Sequence, residues 1–354
     1  MMPALGLQLR GSSAAWRANE PFFIAVMAYA VAVLTAAAYW HIPIDLKLYS
    51  QPFLLVGFGV TAVLLAVNSR RAMLERPKRL LPALLDQLAA KELPNRLITG
   101  LPVVFVLPVF FSLFTSVKGG LNRIVPFYAD TALIAIDRRI HGGVDAWQML
   151  HPLLGFGPII FILNSLYDIW FVVMFIVLFC VTFSTVNEWL RSQYLVAFVL
   201  VWALLGNFVA SMFASVGPAF VMPIYGDATF SPLMSYLQTI NAHCPVWALR
   251  AQALLYANSV LDGPRLGSGI SAFPSLHVAI ATLNAIYLWR FGGLLRWLGA
   301  AFLVVIQLGA VQLGWHYGID GYASMLATPI IWVTAGRISG RRKAKAEIVT
   351  PSYS

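Results

Sequence analysis

Two short stretches hold the residue types that phosphoryl chemistry needs. In "GISAFPSLHVA", residues 269–279, Ser275 and His277 stand at the mouth of an apolar run. In "QLGWHYGIDGYAS", residues 312–324, His316 precedes Asp320 by four positions. On one helical turn such a pair shares a face and can hydrogen bond. A carboxylate there holds the imidazole in one tautomer and stabilises its cation. The first stretch offers a seat for an anion. Pro274 suits a helix N-terminus, the free N–H groups of such an end bind phosphate, and Ser275 can cap that end or donate to the same anion. A phosphate held there with a histidine on either side points to phosphoryl transfer through a histidine.

The elements that must position these residues are set by spacing. His277 and His316 are 39 residues apart, which fits one helix, a short turn at "RFGGLLR", and one helix back. Each leg of about 16 residues rises roughly 24 Å, near the hydrocarbon thickness of a bilayer, so the chain returns to the face it left. Composition agrees: 60% of the 354 residues are hydrophobic and 11% charged, with a mean hydropathy of +0.77. Soluble domains are seldom so apolar. The expected fold class is an all-α polytopic membrane helix bundle. Eight apolar runs are read as spans, at about 21–40, 52–68, 99–117, 158–183, 194–215, 275–290, 297–313 and 319–336. The first is too long, and its flanks too unlike a cleavage site, for a removable signal peptide. Residues 1–98 read as two added helices with a basic loop, 99–340 as a six-helix catalytic core, and 341–354 as a basic tail.

The net charge of +10 does not point to nucleic acid, because the basic residues are sorted. With both termini in the cytoplasm, seventeen of the 24 Lys and Arg fall inside. Lys47, Lys118, Arg123, Arg138, Arg139, Arg250 and Arg265 are left outside. That is the positive-inside bias of a bacterial inner membrane protein, and it puts both histidines and Asp320 at the outer face. Residues 70–98 fit either a helix on the inner leaflet or a solvated loop. Residues 118–157 are expected to form short interfacial helices at a substrate entrance, and 216–274 a long outer loop. Asp168 is a functional candidate if it lies at membrane depth and an interfacial residue if its helix starts later. Asn207 and Gln307 are expected to hydrogen bond between helices. Cys180 and Cys244 fall in different environments, which argues against a disulfide.

"FPSLHVA" and "HYGID" resemble the second and third motifs, Pro-Ser-x-His and His-x-x-x-Asp, of the type 2 phosphatidic acid phosphatase superfamily. Their pairing is closest to the branch containing inositol phosphorylceramide synthases, over roughly 120–336. The resemblance implies a nucleophilic His316 that forms a phosphohistidine, an Asp320 that orients it, and a His277 that protonates the leaving alcohol, without metal or other cofactor. Phosphatase members also carry a Lys and an Arg-Pro in the first motif and a Ser-Arg ahead of the third. Here Gly309 and Ala310 stand at the Ser-Arg positions, while Gly217-Pro218 and Ala210 align with the Arg-Pro and the Lys. All three clamping cations are therefore read as missing, with Arg265 and Arg250 the nearest replacements. Ser275 and Arg265 are the phosphate-binding candidates; Gly217, Pro218 and Asp168 are candidates for the substrate pocket.

The expected function is a lipid headgroup phosphotransferase with membrane lipids as donor and acceptor. A lipid phosphate or isoprenoid diphosphate phosphatase would use the same residues with water as acceptor. A transporter or scaffold fits less well, because the polar residues gather at one face rather than along a midplane path.

Overall fold

The computed structural model describes residues 3–51, 53, 59, 66, 92–261, 263–266 and 268–349. The expected span at 52–68 and most of the basic segment 70–98 lie outside the described residues. Among the described residues there is no strand. Among the described residues, five segments are long and apolar enough to cross a membrane: Trp16–Tyr39, Pro94–Gly119, Gly157–Thr182, Glu188–Met212 and Gly293–Gln312. In hydrocarbon every backbone polar group must be satisfied internally, which leaves the helix as the available form for such runs.

The first span belongs to α1 (Pro3–Tyr39) and the second to α2 (Glu92–Gly119). Two short helices follow, α3 (Asp130–Ile140) and α4 (Ala146–Leu154). The third span is broken into α5 (Gly157–Asp168) and α6 (Trp170–Thr182). The fourth starts as α7 (Glu188–Leu200) and continues through a π-helical stretch, Val201–Val209. Segment 216–274, expected to be a loop, instead carries α8 (Pro218–Tyr225), α9 (Ser231–Asn241) and α10 (Trp247–Ser259). Prolines open the first turns of α8 and α9, and Gly226 closes α8 in the left-handed conformation at φ 72°. These helices, of 8, 11 and 13 residues, are too short to show as spans.

The last three helices carry the two motifs: α11 (Leu276–Trp289), α12 (Gly293–Gln312) and α13 (Gly318–Val349). α11 packs on both α12 and α13, and α13 also packs on α7. α11 is the centre of the bundle, with Val278 to Ala285 buried. The 39-residue return therefore brings His316 back beside His277, as the spacing requires. A second, smaller core of Leu133, Val216, Phe220, Phe230, Ile270 and Tyr317 holds the short helices together as a cap at that end.

Polar ties fix the long helices against one another. Tyr29 donates to Asn207 at 3.3 Å, Gln307 to the Gly318 carbonyl at 3.1 Å, and Tyr194 to Asn284 at 2.6 Å. Asn207 and Gln307 thus make the interhelical bonds expected of them. At the end away from the cap, the buried Arg191 donates to the Thr182 carbonyl, to Asn19 and to the Thr99 carbonyl at 2.8, 2.8 and 3.0 Å. It joins α1, α2 and α6 to α7. Hydrogen bonds to a charged donor are worth about 1.5–3 kcal/mol each, so Arg191→Met is expected to destabilise by about 3 kcal/mol or more, read as a lower melting temperature in detergent. Cys180 and Cys244 are both free.

Candidate active site

His316 lies in the turn before α13, and Asp320 in its first turn, so the pair bridges the start of the helix rather than sitting within it. His316 Nδ1 is 3.3 Å from Asp320 Oδ2 and 2.8 Å from the carbonyl oxygen of Ala272. A carbonyl can only accept, so Nδ1 carries the proton and Nε2 keeps its lone pair. The backbone of Ala272 is the closer orienting group, and Asp320 adds the charge. Asp320 is fully buried and its Oδ2 also accepts from the Tyr317 N–H at 3.0 Å. A carboxylate in the first turn is favoured by the helix dipole.

His277 sits one residue into α11, its ring centroid 6.1 Å from that of His316. The two imidazoles are thus near neighbours, close enough to act on one bound group. The break between α5 and α6 supplies its walls. Tyr167 stacks on the His277 ring at 4.7 Å, Trp170 lies at 4.4 Å, and Trp170 Nε1 donates to the His277 carbonyl at 2.9 Å. Ser275 is fully buried as the N-cap of α11, its Oγ accepting from Val278 N–H at 3.4 Å. That leaves the N–H groups of Leu276 and His277 without intrahelical acceptors. Ser275 N–H donates to the Asp320 carbonyl, and Ser324 to the Ser275 carbonyl, so the two motifs are stitched directly together.

The structure supplies a cation that the sequence places outside, at the start of the segment 118–157. Lys118, in the last turn of α2, is buried, and its Nζ donates to the Gly206 carbonyl at 3.1 Å. An ammonium has three donors, and Gly206 takes one. If the first-motif frame is moved so that its lysine falls on Lys118, Val125 and Pro126 occupy the Arg-Pro positions. One cation is thereby recovered and the arginine is replaced by valine. Arg265 is exposed in the loop before the Pro-Ser-x-His motif. Asp168 is also exposed, at the end of α5, while its neighbour Tyr167 turns inward to His277.

Gly217 and Pro218 are brought to the site as its backing. Gly217 has φ +82°, and a Cβ on it would lie 2.8 Å from both the Ala272 Cβ and the Trp315 carbonyl oxygen. Ser215 accepts from the Ala272 and Phe273 N–H groups at 3.0 Å each. This strap therefore presses the Ala272 carbonyl toward His316.

Two carboxylates of α3 brace the same turn, and neither is singled out by the sequence. Buried Asp130 accepts from Val216 and Gly217 N–H, from Tyr225 at 2.7 Å and from Tyr317 at 2.7 Å. Asp137 accepts from the Ile319 N–H at 2.9 Å. Burial pushes the Asp137 carboxyl up from its ordinary value, opposed by the Ile319 N–H, by His141 and by the Ala146 N–H. The detectable signal is two acids seven positions apart on one face of an amphipathic helix. Because Asp130 fixes both the strap and the residue after His316, Asp130→Asn is expected to cost about 2–3 kcal/mol of stability. Activity should fall more than binding, which a comparison of kcat with KM checks.

A family model described as the PAP2 superfamily matches residues 131–334, more than half of the chain. No curated protein and no solved structure matches.

Proposed function

This chain belongs to the PAP2 superfamily, whose members are phosphatases or phosphotransferases, and on that premise we propose that it is a lipid headgroup phosphotransferase resembling the inositol phosphorylceramide synthases. The observation that carries this reading is the His316 imidazole, held through Nδ1 by Ala272 and Asp320 with its ring centroid 6.1 Å from that of His277, which leaves Nε2 as its nucleophilic nitrogen. Nε2 attacks the phosphorus of a phospholipid, an N–P bond forms, and the bond to the diacylglycerol oxygen breaks. His277, protonated at that stage, gives its proton to the leaving oxygen. The acceptor lipid's hydroxyl then passes its proton back to His277 and attacks phosphorus, and the N–P bond breaks. Charge on the phosphoryl oxygens is met by Lys118 and the first N–H groups of α11.

One cation where phosphatases use three suits a phosphodiester, which carries less charge than a monoester. Lys118 also favours a second reading, hydrolysis of a lipid phosphate, since it restores part of the clamp. A labelled phospholipid donor supplied with and without a hydroxylated lipid acceptor separates the two. Product that needs the acceptor supports transfer; phosphate release at the same rate without it supports hydrolysis. On either reading Lys118→Met is expected to lower kcat/KM about a hundredfold, the scale of losing one charge-stabilising donor, while Lys118→Arg retains part of the activity.

A further inference from the structure

We propose that α1 and the π-helical part of the α7 span form the seat for one hydrocarbon chain of the lipid substrate, with Asn207 binding a carbonyl at that chain's head. This inference rests on the lipid-transfer reading above and adds a subsite to it. A cavity of about 650 Å³ lies between the two helices, lined almost wholly by apolar side chains. Its lining runs along α1 from Pro21 to Ala36 and on to Trp40, and Asn207 meets it at Tyr29, roughly 12 Å from Pro21 at 1.5 Å per residue. Ala25, Ala28, Ala32 and Ala203 are among the residues lining it. Small residues ordinarily let membrane helices close on each other; here α1 packs on α7 and the cavity opens along the same pair.

Two observations say what fills the space. The wall carries one buried polar side chain, Asn207, which is 7% exposed. Its Oδ1 accepts from Tyr29, while its Nδ2 has no partner among the described residues. A buried amide donor left unpaired is costly, and the ester or amide carbonyl next to a lipid chain would satisfy it. The second is position. Asn207 follows Gly206, whose carbonyl holds Lys118, and Val117, which also lines the cavity, precedes Lys118. A Cβ on Gly206 would lie 2.7 Å from Leu276, the residue before His277. A lipid with its chain in the cavity and its carbonyl on Asn207 therefore has its phosphate directed to Lys118 and the two histidines. π-Helical turns are frequent at functional sites, and this one places the Asn207 amide and the Gly206 carbonyl on different faces of one wall.

The test uses the full chain in vesicles of phosphatidylglycerol and phosphatidylinositol that carry a diazirine in one acyl chain. Photolabel is expected on peptides covering 21–40 and 196–211. It should be lost from both in Ala203→Phe, which fills the cavity; that variant should raise KM about tenfold, a loss of about 1.4 kcal/mol in binding, with kcat little changed. Asn207→Leu should raise KM similarly, and Asn207→Gln should recover part of it. Labelling that ignores Ala203→Phe, or a cross-link between two copies through Ala28→Cys, overturns the proposal. His316→Asn should label normally. An active His316→Asn enzyme with intact, Phe-sensitive labelling would sink the histidine mechanism and leave the chain seat standing.

Discussion

His316→Asn is expected to abolish turnover, with a fall of about ten-thousandfold or more in kcat, the scale seen when a covalent nucleophile is removed. The substitution keeps a donor for the Ala272 carbonyl and for Asp320, so the turn before α13 should fold as it does now. What it removes is the Nε2 lone pair. Donor binding, read by lipid photolabelling or by protection from heat, should survive. That split separates a nucleophile from a residue that merely supports the fold. Activity within tenfold of the parent would remove His316 from its role.

His277→Asn should be the second largest loss, about a thousandfold in kcat, the middle of the range for a general acid and base. Its signature is a dependence on the leaving group. With a phosphodiester whose leaving alcohol is a nitrophenol, no proton needs to be supplied, and the first step should recover most of its rate. Transfer to an alkyl hydroxyl should stay slow, because the acceptor still needs a base. If good and poor leaving groups are slowed alike, His277 only packs between Tyr167 and Trp170 and supplies no proton.

The sequence revealed what is local or periodic. Apolar runs disclosed the helical class, and the distance between His277 and His316 disclosed that they return to one face. The closest partner of His316 was hidden because it is a backbone carbonyl, and any residue type at Ala272 provides one. Lys118 looked like a charge leaving the membrane, since it ends an apolar run and two glycines follow. Its burial depends on Gly206, 88 residues away, which no local pattern reports. Asp130 and Asp137 were passed over for a related reason. Acids on a short amphipathic helix usually face water, whereas here Asp130 meets Tyr317, 187 positions later. The helices within 216–274 are hidden because none exceeds 13 residues, and α8 carries Pro218 and Pro223 within its eight. Ser275 was legible as a cap or an anion donor, and its depth in the structure favours the cap.

The covalent histidine is open to direct trapping. The purified chain, given a phospholipid labelled at phosphorus and no acceptor, is quenched in alkali, digested and sequenced by mass spectrometry. A phosphorus-bearing group that is stable in base, labile in acid and carried by His316 is the expected outcome. It should discharge when a hydroxylated lipid is added and accumulate in His277→Asn with the nitrophenyl donor. Label on another residue, or transfer at full rate by a His316→Asn enzyme that never carries phosphorus, would contradict the mechanism.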